Sequence, residues 1–457
     1  MSPNAHRQLE EEVLERLRPT PLQLRTLSSF YEVIRSHLQA KLSERGLDFI
    51  IEPEGSFAKG TLLADHWELD IFVLLKGASD EWIKSKGREL LEDSLKGLPT
   101  IVKYSEHPYV TVSLMGIEAD VVPAVYREKP TGNLMGVSRT PFHTRYVISR
   151  LDKGGADEVR LLKSFFKGVG VYGAEAHIGG FSGYLTELLI ITYGSFEGAL
   201  QAISSWKPPV YVDPENVGNK NLLSRRYPDS PLIVVDPVDP ARNAAAAVTL
   251  EKLSTAVVAA KLYLKRPRKE FFHIFTKYAS IKYGIPVAMV ICEGDYANYP
   301  PGDVWGRLAR ASRSIATLLT KYGFKLIKHS FFTDEQSKAA VGFLVNTLRL
   351  NSLDVIEGPK PFINVDYIED FIANRINDGI WIGEGELMSV KRLNRPDIEF
   401  FLDLAIKQAP LPEGTRDCKV MVSDDVRDVR LTDWGLKEWI RKELASMPAW
   451  LVSPSAP

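Results

Sequence analysis

The sequence predicts an α+β protein of several domains, and three observations lead there. The chain has 457 residues, which at about 100 to 200 residues per domain implies roughly three or four of them. Strand-like runs, above all Trp67-Glu68-Leu69-Asp70-Ile71-Phe72-Val73-Leu74-Leu75, stand among longer stretches of helical spacing. No internal repeat or low-complexity tract breaks this order.

The elements follow in sequence. Helices are expected over about residues 5–17 and 22–44, divided at Pro19-Thr20-Pro21, where proline ends one helix and suits the first turn of the next. Phe49-Ile50-Ile51 reads as a strand closed by Gly55-Ser56, after which Phe57-Ala58-Lys59-Gly60-Thr61-Leu62 opens a helix. Two strands are expected in Trp67–Leu75 and in Gly116-Ile117-Glu118-Ala119-Asp120-Val121-Val122-Pro123. From about Thr144 to Leu250 amphipathic runs alternate with Gly-rich turns, and a further helix begins at Ser254. The strand Ile285–Ile291 precedes a helix with Arg307, Arg310 and Arg313 on one face and Trp305, Leu308, Ile315 and Leu319 on the buried side. Strands near 325–332 and 341–350 come next, and Pro448–Pro457 reads as a frayed end.

The chemistry lies in the acid-bearing strands. Side chains alternate along a strand, so Glu68 and Asp70 share one face while Leu69, Ile71 and Val73 line the other. Adjacent carboxylates repel, and a half-buried pair calls for a cation between them. Oxygen-only donors point to Mg2+, which keeps several waters and takes further ligands from substrate phosphates. The Gly55-Ser56 turn offers backbone N–H groups at a helix start, the Ser56 hydroxyl and the Lys59 charge, which together suit a triphosphate. A third acid is available in Glu118 or Asp120, on one face of their strand. Asp120 is favoured because a short side chain deep in a strand is held more rigidly.

These residues resemble the polymerase β nucleotidyltransferase superfamily, whose pattern is a Gly-Ser turn, an acid-x-acid strand and a third acid on a neighbouring strand. A narrower likeness follows in Ser105-Glu106-His107-Pro108-Tyr109, Arg139-Thr140-Pro141-Phe142-His143, Val159-Arg160-Leu161-Leu162-Lys163, Val171-Tyr172-Gly173-Ala174-Glu175, Gly180-Phe181-Ser182-Gly183-Tyr184-Leu185 and Val235-Asp236-Pro237-Val238-Asp239-Pro240-Ala241-Arg242-Asn243. In that order they resemble the archaeal, class I CCA-adding enzymes, a family of tRNA nucleotidyltransferases. The likeness is dense from about residue 50 to 245.

The resemblance implies template-free addition of C, C and A to the tRNA 3′ end from CTP and ATP. It implies Glu68, Asp70 and Asp120 as metal ligands and catalytic acids. It implies the Gly55-Ser56 turn, Lys59, His107, Thr140, His143, Lys163 and Tyr172 as contacts to triphosphate and sugar, and Arg242 as the base-reading side chain. Arginine donates only, so base choice also needs an acceptor, from backbone or from an RNA phosphate. Some relatives have Arg where this chain has Lys59, and Thr144 stands where others have a second His. The implied architecture is a nucleotidyltransferase head with a mixed sheet (1–143), a helical neck (144–253), an α/β body (254–283 and 394–457) and a tail like an RNA-recognition motif (284–393) that binds the distant tRNA arm.

Composition bounds the rest. A net charge of −1 excludes RNA binding by bulk charge, so any RNA site is local. Lys265-Arg266-Pro267-Arg268-Lys269 and the stripe of Arg307, Arg310 and Arg313 are the candidates. Cys292 and Cys418, far apart and without metal-type spacing, argue against a disulfide framework or zinc site and suit a reducing, cytoplasmic setting. The polar N-terminus and the lack of an apolar run of about 18 residues argue against a membrane location. A homodimer stays open. The rival readings are another template-free nucleotidyltransferase, such as a poly(A) polymerase, and an RNA-binding relative with a dead head; intact Gly55, Ser56, Glu68, Asp70 and Asp120 argue against the last.

Overall fold

A computed structural model describes residues 3–103, 109–130, 136–275, 278–281, 283–350, 353–383, 385–392 and 397–452. The chain separates into two compact units: Met1–Ala279 with Pro300–Gly302 and Met447–Pro457, and Ser280–Tyr299 with Asp303–Ser446.

The first unit begins with helices α1 (Pro3–Leu17) and α2 (Pro21–Glu44). Thr20 caps α2 by accepting the Gln23 backbone N–H at 3.1 Å, and Pro21 occupies the first turn, where its missing N–H costs nothing. Leu27, Phe30, Ile34, Leu38 and Leu42 recur every three or four residues and face a mixed sheet. That sheet contains β1 (Phe49–Glu54), β2 (Glu68–Leu75), β3 (Thr100–Lys103), β4 (Tyr109–Leu114) and β5 (Ile117–Val125), in the order β1-β2-β5-β4-β3. Only the β2–β5 pair is parallel. Leu69, Ile71, Val73 and Leu75 are buried against α2 and the helix Arg88–Ser94. On the opposite face Phe72, Leu74, Val122 and Ala124 are covered, and the same alternation puts Glu68 and Asp70 on that face, beyond the end of its apolar patch. Each buried aliphatic or aromatic side chain contributes about 1.5–3 kcal/mol, so a register slip that exposed this set would be prohibitive.

Helices follow: α3 (Gly55–Ala58) in the turn after β1, then α4 (Gly136–Arg150), α5 (Lys153–Gly168), α6 (Gly183–Tyr193), α7 (Phe196–Ser205) and α8 (Leu250–Lys265). Asp152 caps α5 through the Gly155 N–H at 2.7 Å, and Ser182 caps α6 through the Leu185 N–H at 3.1 Å. The last helix starts before the expected Ser254, because Thr249 accepts the Lys252 N–H and acts as its cap. Phe165, Phe196, Tyr263, Phe271 and Phe272 form one aromatic core; the Phe165 and Phe271 rings stack at 5.8 Å. Within the basic run 265–269, Arg268 donates to the backbone oxygens of Val452 at 3.0 Å and Trp450 at 2.8 Å. Its guanidinium fastens chain segments, and Lys269 pairs with Glu12 at 3.2 Å.

The second unit contains β6 (Val287–Gly294), α9 (Pro301–Lys321), β7 (Leu326–Thr333), β8 (Lys338–Val345), α10 (Ile398–Ile406) and β9 (Thr415–Ser423). Its sheet is antiparallel with order β7-β8-β6-β9, the split β-α-β arrangement. A smaller three-stranded sheet (Leu353–Glu357, Leu387–Arg392, Ile380–Ile382) with the helix Val365–Arg375 lies between β8 and α10 in sequence. The last strand of this sheet comes from beyond residue 393, outside the expected tail, and both faces of its two central strands are covered. Ala288, Val290, Val341 and Phe343 pack on Leu308, Ile315 and Leu319 of α9 and on Phe401 of α10. Val287, Met289, Ala340 and Leu344 lie beneath Val426, Leu436, Trp439 and Leu444. A base-stacking platform needs an exposed, aromatic-bearing sheet face, and the apolar cover removes it. On α9, Arg310 and Arg313 are exposed, whereas Arg307 is half-buried and paired with Glu413; Trp305 is only half-buried, its indole donating to Glu335 at 2.8 Å.

The cysteines overturn the expectation of free thiols. Cys292 of β6 stands directly opposite Cys418 of β9, and the two form a disulfide across 126 residues. Sequence distance hid the pair, because only the strand order brings the first and last strands of this sheet side by side. Closing so long a loop is worth roughly 4–5 kcal/mol in the chain-entropy model, with about 2–4 kcal/mol typical in practice. The Cys292→Ser, Cys418→Ser double variant should therefore unfold at lower urea, with a loss near 2–4 kcal/mol in the transition of this unit. Tryptophan fluorescence with and without reductant measures it; an unchanged midpoint would mean that the bridge adds no stability.

Candidate active site

The site is built where β1, β2 and β5 run side by side. The antiparallel β1–β2 register places Glu54 opposite Asp70, and the parallel β2–β5 register places Asp120 beside Asp70 and Glu118 beside Glu68. Asp120 Oδ1 accepts the buried Thr111 hydroxyl at 2.6 Å, which fixes its orientation. Asp70 remains reachable by solvent at the floor of a cleft but is ringed by protein. That desolvation, reinforced by the Asp120 charge and only partly offset by Lys59, pushes its carboxyl up to about 6. Glu68 lies further out, its Oε2 3.5 Å from His66 Nδ1.

Gly55 is the closest part of the roof. Its φ of +65° suits glycine, and a Cβ at this position would come within 1.8 Å of Asp70 Oδ2. The turn can cross the carboxylate only without a side chain. Ser56, Asp70, Asp120, Lys163 and Tyr172 then line one cavity of about 120 Å³, together with His66 and Lys167, which the sequence reading had not singled out. Among the described residues no three His, Cys, Asp or Glu side chains converge closely enough to enclose an ion. The register-paired Asp70 and Asp120 offer carboxylate oxygens, the donor type a hard divalent cation takes, and a cation between them would relieve their repulsion.

Behind the cavity lies a buried ion cluster. Glu187, fully buried in α6, accepts Lys59 Nζ at 2.6 Å and the Thr61 hydroxyl at 2.8 Å, and Lys163 Nζ lies 3.6 Å away. Lys163 also donates to the Thr61 carbonyl at 3.2 Å and hydroxyl at 3.1 Å. Burial raises the Glu187 pKa, but Lys59 and Lys163 outweigh it and hold the carboxyl below its ordinary value. Burial pushes Lys163 down to about 8 against the pull of Glu187. Lys59, expected at a phosphate, is thus tied to an internal carboxylate, with its side chain 9% exposed.

A second cluster holds the remaining candidates. Asp236 Oδ2 receives Arg242 Nη1 at 2.9 Å and His143 Nε2 at 2.9 Å, while Oδ1 receives the Tyr184 hydroxyl and the Val238 N–H, each at 3.0 Å. Burial opposes ionisation of Asp236, but these donors hold it at about 2. Burial dominates at His143 and lowers its pKa, so the neutral ring donates through Nε2 and stacks on Tyr184 at 3.9 Å. The always-charged Arg242 is therefore the ionic partner of Asp236, and one third of its side chain stays exposed. Thr140 lies half-buried on α4, one turn before His143. His107 falls outside the described residues.

Sequence reasoning missed Glu187, Asp236, His66 and Lys167. Glu187 had a usable signal, a single charge in the apolar run Leu185-Thr186-Glu187-Leu188-Leu189-Ile190-Ile191, which demands a buried partner. Asp236 directly follows the buried strand Leu232–Val234 and Val235, where a charge continuing a core segment demands donors.

Comparison with known proteins bears on the same residues. A nucleotidyltransferase domain model matches residues 34–147, and a model described as tRNA nucleotidyltransferase, second domain, matches 157–273. A CCA-adding enzyme of Aeropyrum pernix is 43% identical over 421 residues, covering 90% of each chain. That of Saccharolobus solfataricus is 38% identical over 394 residues (86% of this chain, 90% of the relative), and that of Sulfurisphaera tokodaii 36% over 448 (97% and 99%).

The Glu187 cluster gives a stability prediction. Glu187→Ala leaves two buried ammonium groups facing one another, and the expected loss is about 3–5 kcal/mol. Replacing all three charges, as Lys59→Met, Lys163→Met and Glu187→Leu, should restore much of that loss, because desolvation of the ions disappears with them. Urea titrations measure both; equal losses would assign the effect to packing.

Proposed function

The chain belongs to the CCA-adding enzymes, a tRNA nucleotidyltransferase family, and on that premise we propose that its carboxylate cleft adds C, C and A to the 3′ end of tRNA from CTP and ATP. The observation that carries the reading is the register pair of Asp70 and Asp120 beneath the Gly55 turn, continuous with Ser56, Lys163 and Tyr172 around one cavity.

The tRNA 3′-hydroxyl attacks the α-phosphorus in line, the bond to the β-phosphate oxygen breaks, and pyrophosphate leaves. Glu68, Asp70 and Asp120 would hold Mg2+, which when bound supplies Lewis-acid activation of the attacking hydroxyl and charge neutralisation on the leaving phosphates. No side chain is needed as nucleophile. Ser56 and Tyr172 present hydroxyls to the triphosphate, and Lys163 faces it from a desolvated wall, where its charge acts strongly on developing negative charge. His143 and Thr140 approach the sugar side from α4. Arg242 reads the base edge. Its grip by Asp236 fixes the guanidinium fork, and a fixed donor array rejects a wrong base far better than a mobile one. Exposed Arg310 and Arg313 of α9 take tRNA phosphates.

No described helix is long and apolar enough to cross a membrane, and the cytoplasm, where tRNA is processed, is the proposed location.

Three measurements test this reading. Transcripts ending before CCA, after C and after CC, each incubated with labelled NTPs, should accept C, C and A respectively and then stop; unlimited A addition would mark a poly(A) polymerase. Asp70→Asn and Asp120→Asn should each remove incorporation of both nucleotides by several orders of magnitude while tRNA affinity stays near wild type. Arg310→Ala with Arg313→Ala should lower tRNA affinity and reduce the slope of log affinity against log salt by roughly one unit per lost contact; an unchanged slope would remove α9 from the RNA surface.

A further inference from the structure

We propose that Lys167 is a further substrate-binding residue of the cleft, its ammonium engaging the β- and γ-phosphates of the incoming nucleotide and then the released pyrophosphate. This rests on the functional reading of the cleft given above and extends it to a residue outside the recognised motifs.

Lys163 and Lys167 lie one turn apart on α5, so both project from the same helix face, and both line the cavity that contains Asp70, Asp120 and Ser56. Their charges are handled differently. Lys163 shares Glu187 with Lys59 and is compensated inside the protein. The closest partners of Lys167 are two rings: its Nζ lies 3.0 Å from His66 Nε2 and 5.6 Å from the centre of the Tyr172 ring. Among the described residues it forms no ion pair with a carboxylate; Asp65 and Glu68 act on it only through their field.

An ammonium can only donate, so His66 accepts at Nε2 and carries its proton on Nδ1, toward Glu68 Oε2 at 3.5 Å. His66 and the Tyr172 ring therefore hold the Lys167 ammonium in place without cancelling its charge. Burial lowers the Lys167 pKa, a cost that an arriving anion would relieve. A partly desolvated, positioned cation that is not ion-paired to a carboxylate, beside the wall that carries Lys163, is suited to the charge-rich end of a triphosphate. Lys163 serves the inner phosphate and Lys167 the outer two, which are the two that depart together.

Isothermal titration of the full chain with CTP, CMP and inorganic pyrophosphate, each with Mg2+ and with EDTA, tests the assignment without turnover. Lys167→Ala should weaken CTP and pyrophosphate about tenfold, the loss of one charge-assisted contact, and leave CMP and tRNA affinity unchanged. Lys167→Arg should recover most of the loss. Lys167→Gln, which keeps the length of the side chain, should reproduce the alanine result with an unaltered melting temperature, and this guards against a folding defect. Equal weakening of CMP and CTP, loss of tRNA affinity alone, or no change in pyrophosphate binding would each overturn the proposal. If the wild type binds pyrophosphate through Lys167 but adds neither C nor A to tRNA, the functional reading fails and the phosphate site stands. If it adds CCA while Lys167→Ala binds all three ligands normally, the site alone fails.

Discussion

One buried carboxylate ties the first unit together. Glu187 is fully enclosed in an otherwise apolar helix, and a lone ionised group there would be untenable. It is stable because Lys59 arrives from the turn after β1, Lys163 from α5, and the Thr61 hydroxyl from the loop between. The cluster positions one wall of the cavity: Lys163 lines it while its other contacts, Glu187 and Thr61, are anchored behind it. Such ions add little net stability compared with an apolar core of the same shape, but removing one partner is expensive. The arrangement therefore specifies one geometry more strongly than it stabilises the fold.

The acidic floor and cationic walls have different origins. Strand alternation and parallel register alone align Asp70 with Asp120, and glycine at position 55 lets the backbone cross over them. The walls depend on tertiary pairing, in which Asp236 orders Arg242, His143 and Tyr184 as Glu187 orders Lys59 and Lys163. Each cluster pairs one buried anion with more than one donor; the Glu187 cluster, with two ammonium groups against one carboxylate, keeps a net positive charge beside the cavity, whereas Asp236 and Arg242 balance.

Local rules made the floor legible in the sequence. A period-two run with acids on one face, a Gly-Ser turn before it and a second acid-bearing strand need no knowledge of distant contacts, and α2 could be read from its cap, proline and apolar spacing. The pairing of Lys59 with Glu187 was hidden because its partner lies 128 residues away in another helix. The Cys292–Cys418 bridge was missed for the same reason, and so was the covered face of the second unit's sheet, whose lid comes from residues 426–444. Periodicity reports that a face is apolar; it does not report what lies on it.

The bridge also changes the molecule's connectivity. Between Cys292 and Cys418 the backbone makes a closed ring that contains α9, β7, β8, α10 and the small three-stranded insertion. A peptide bond hydrolysed anywhere in that ring, for example near the exposed Phe362 or Tyr367, opens the ring without parting the molecule. The two pieces would travel as one species until the bridge is reduced. Damage to the insertion is therefore covalently silent under oxidising conditions, and the thiol state decides whether a nicked chain is one polypeptide assembly or two.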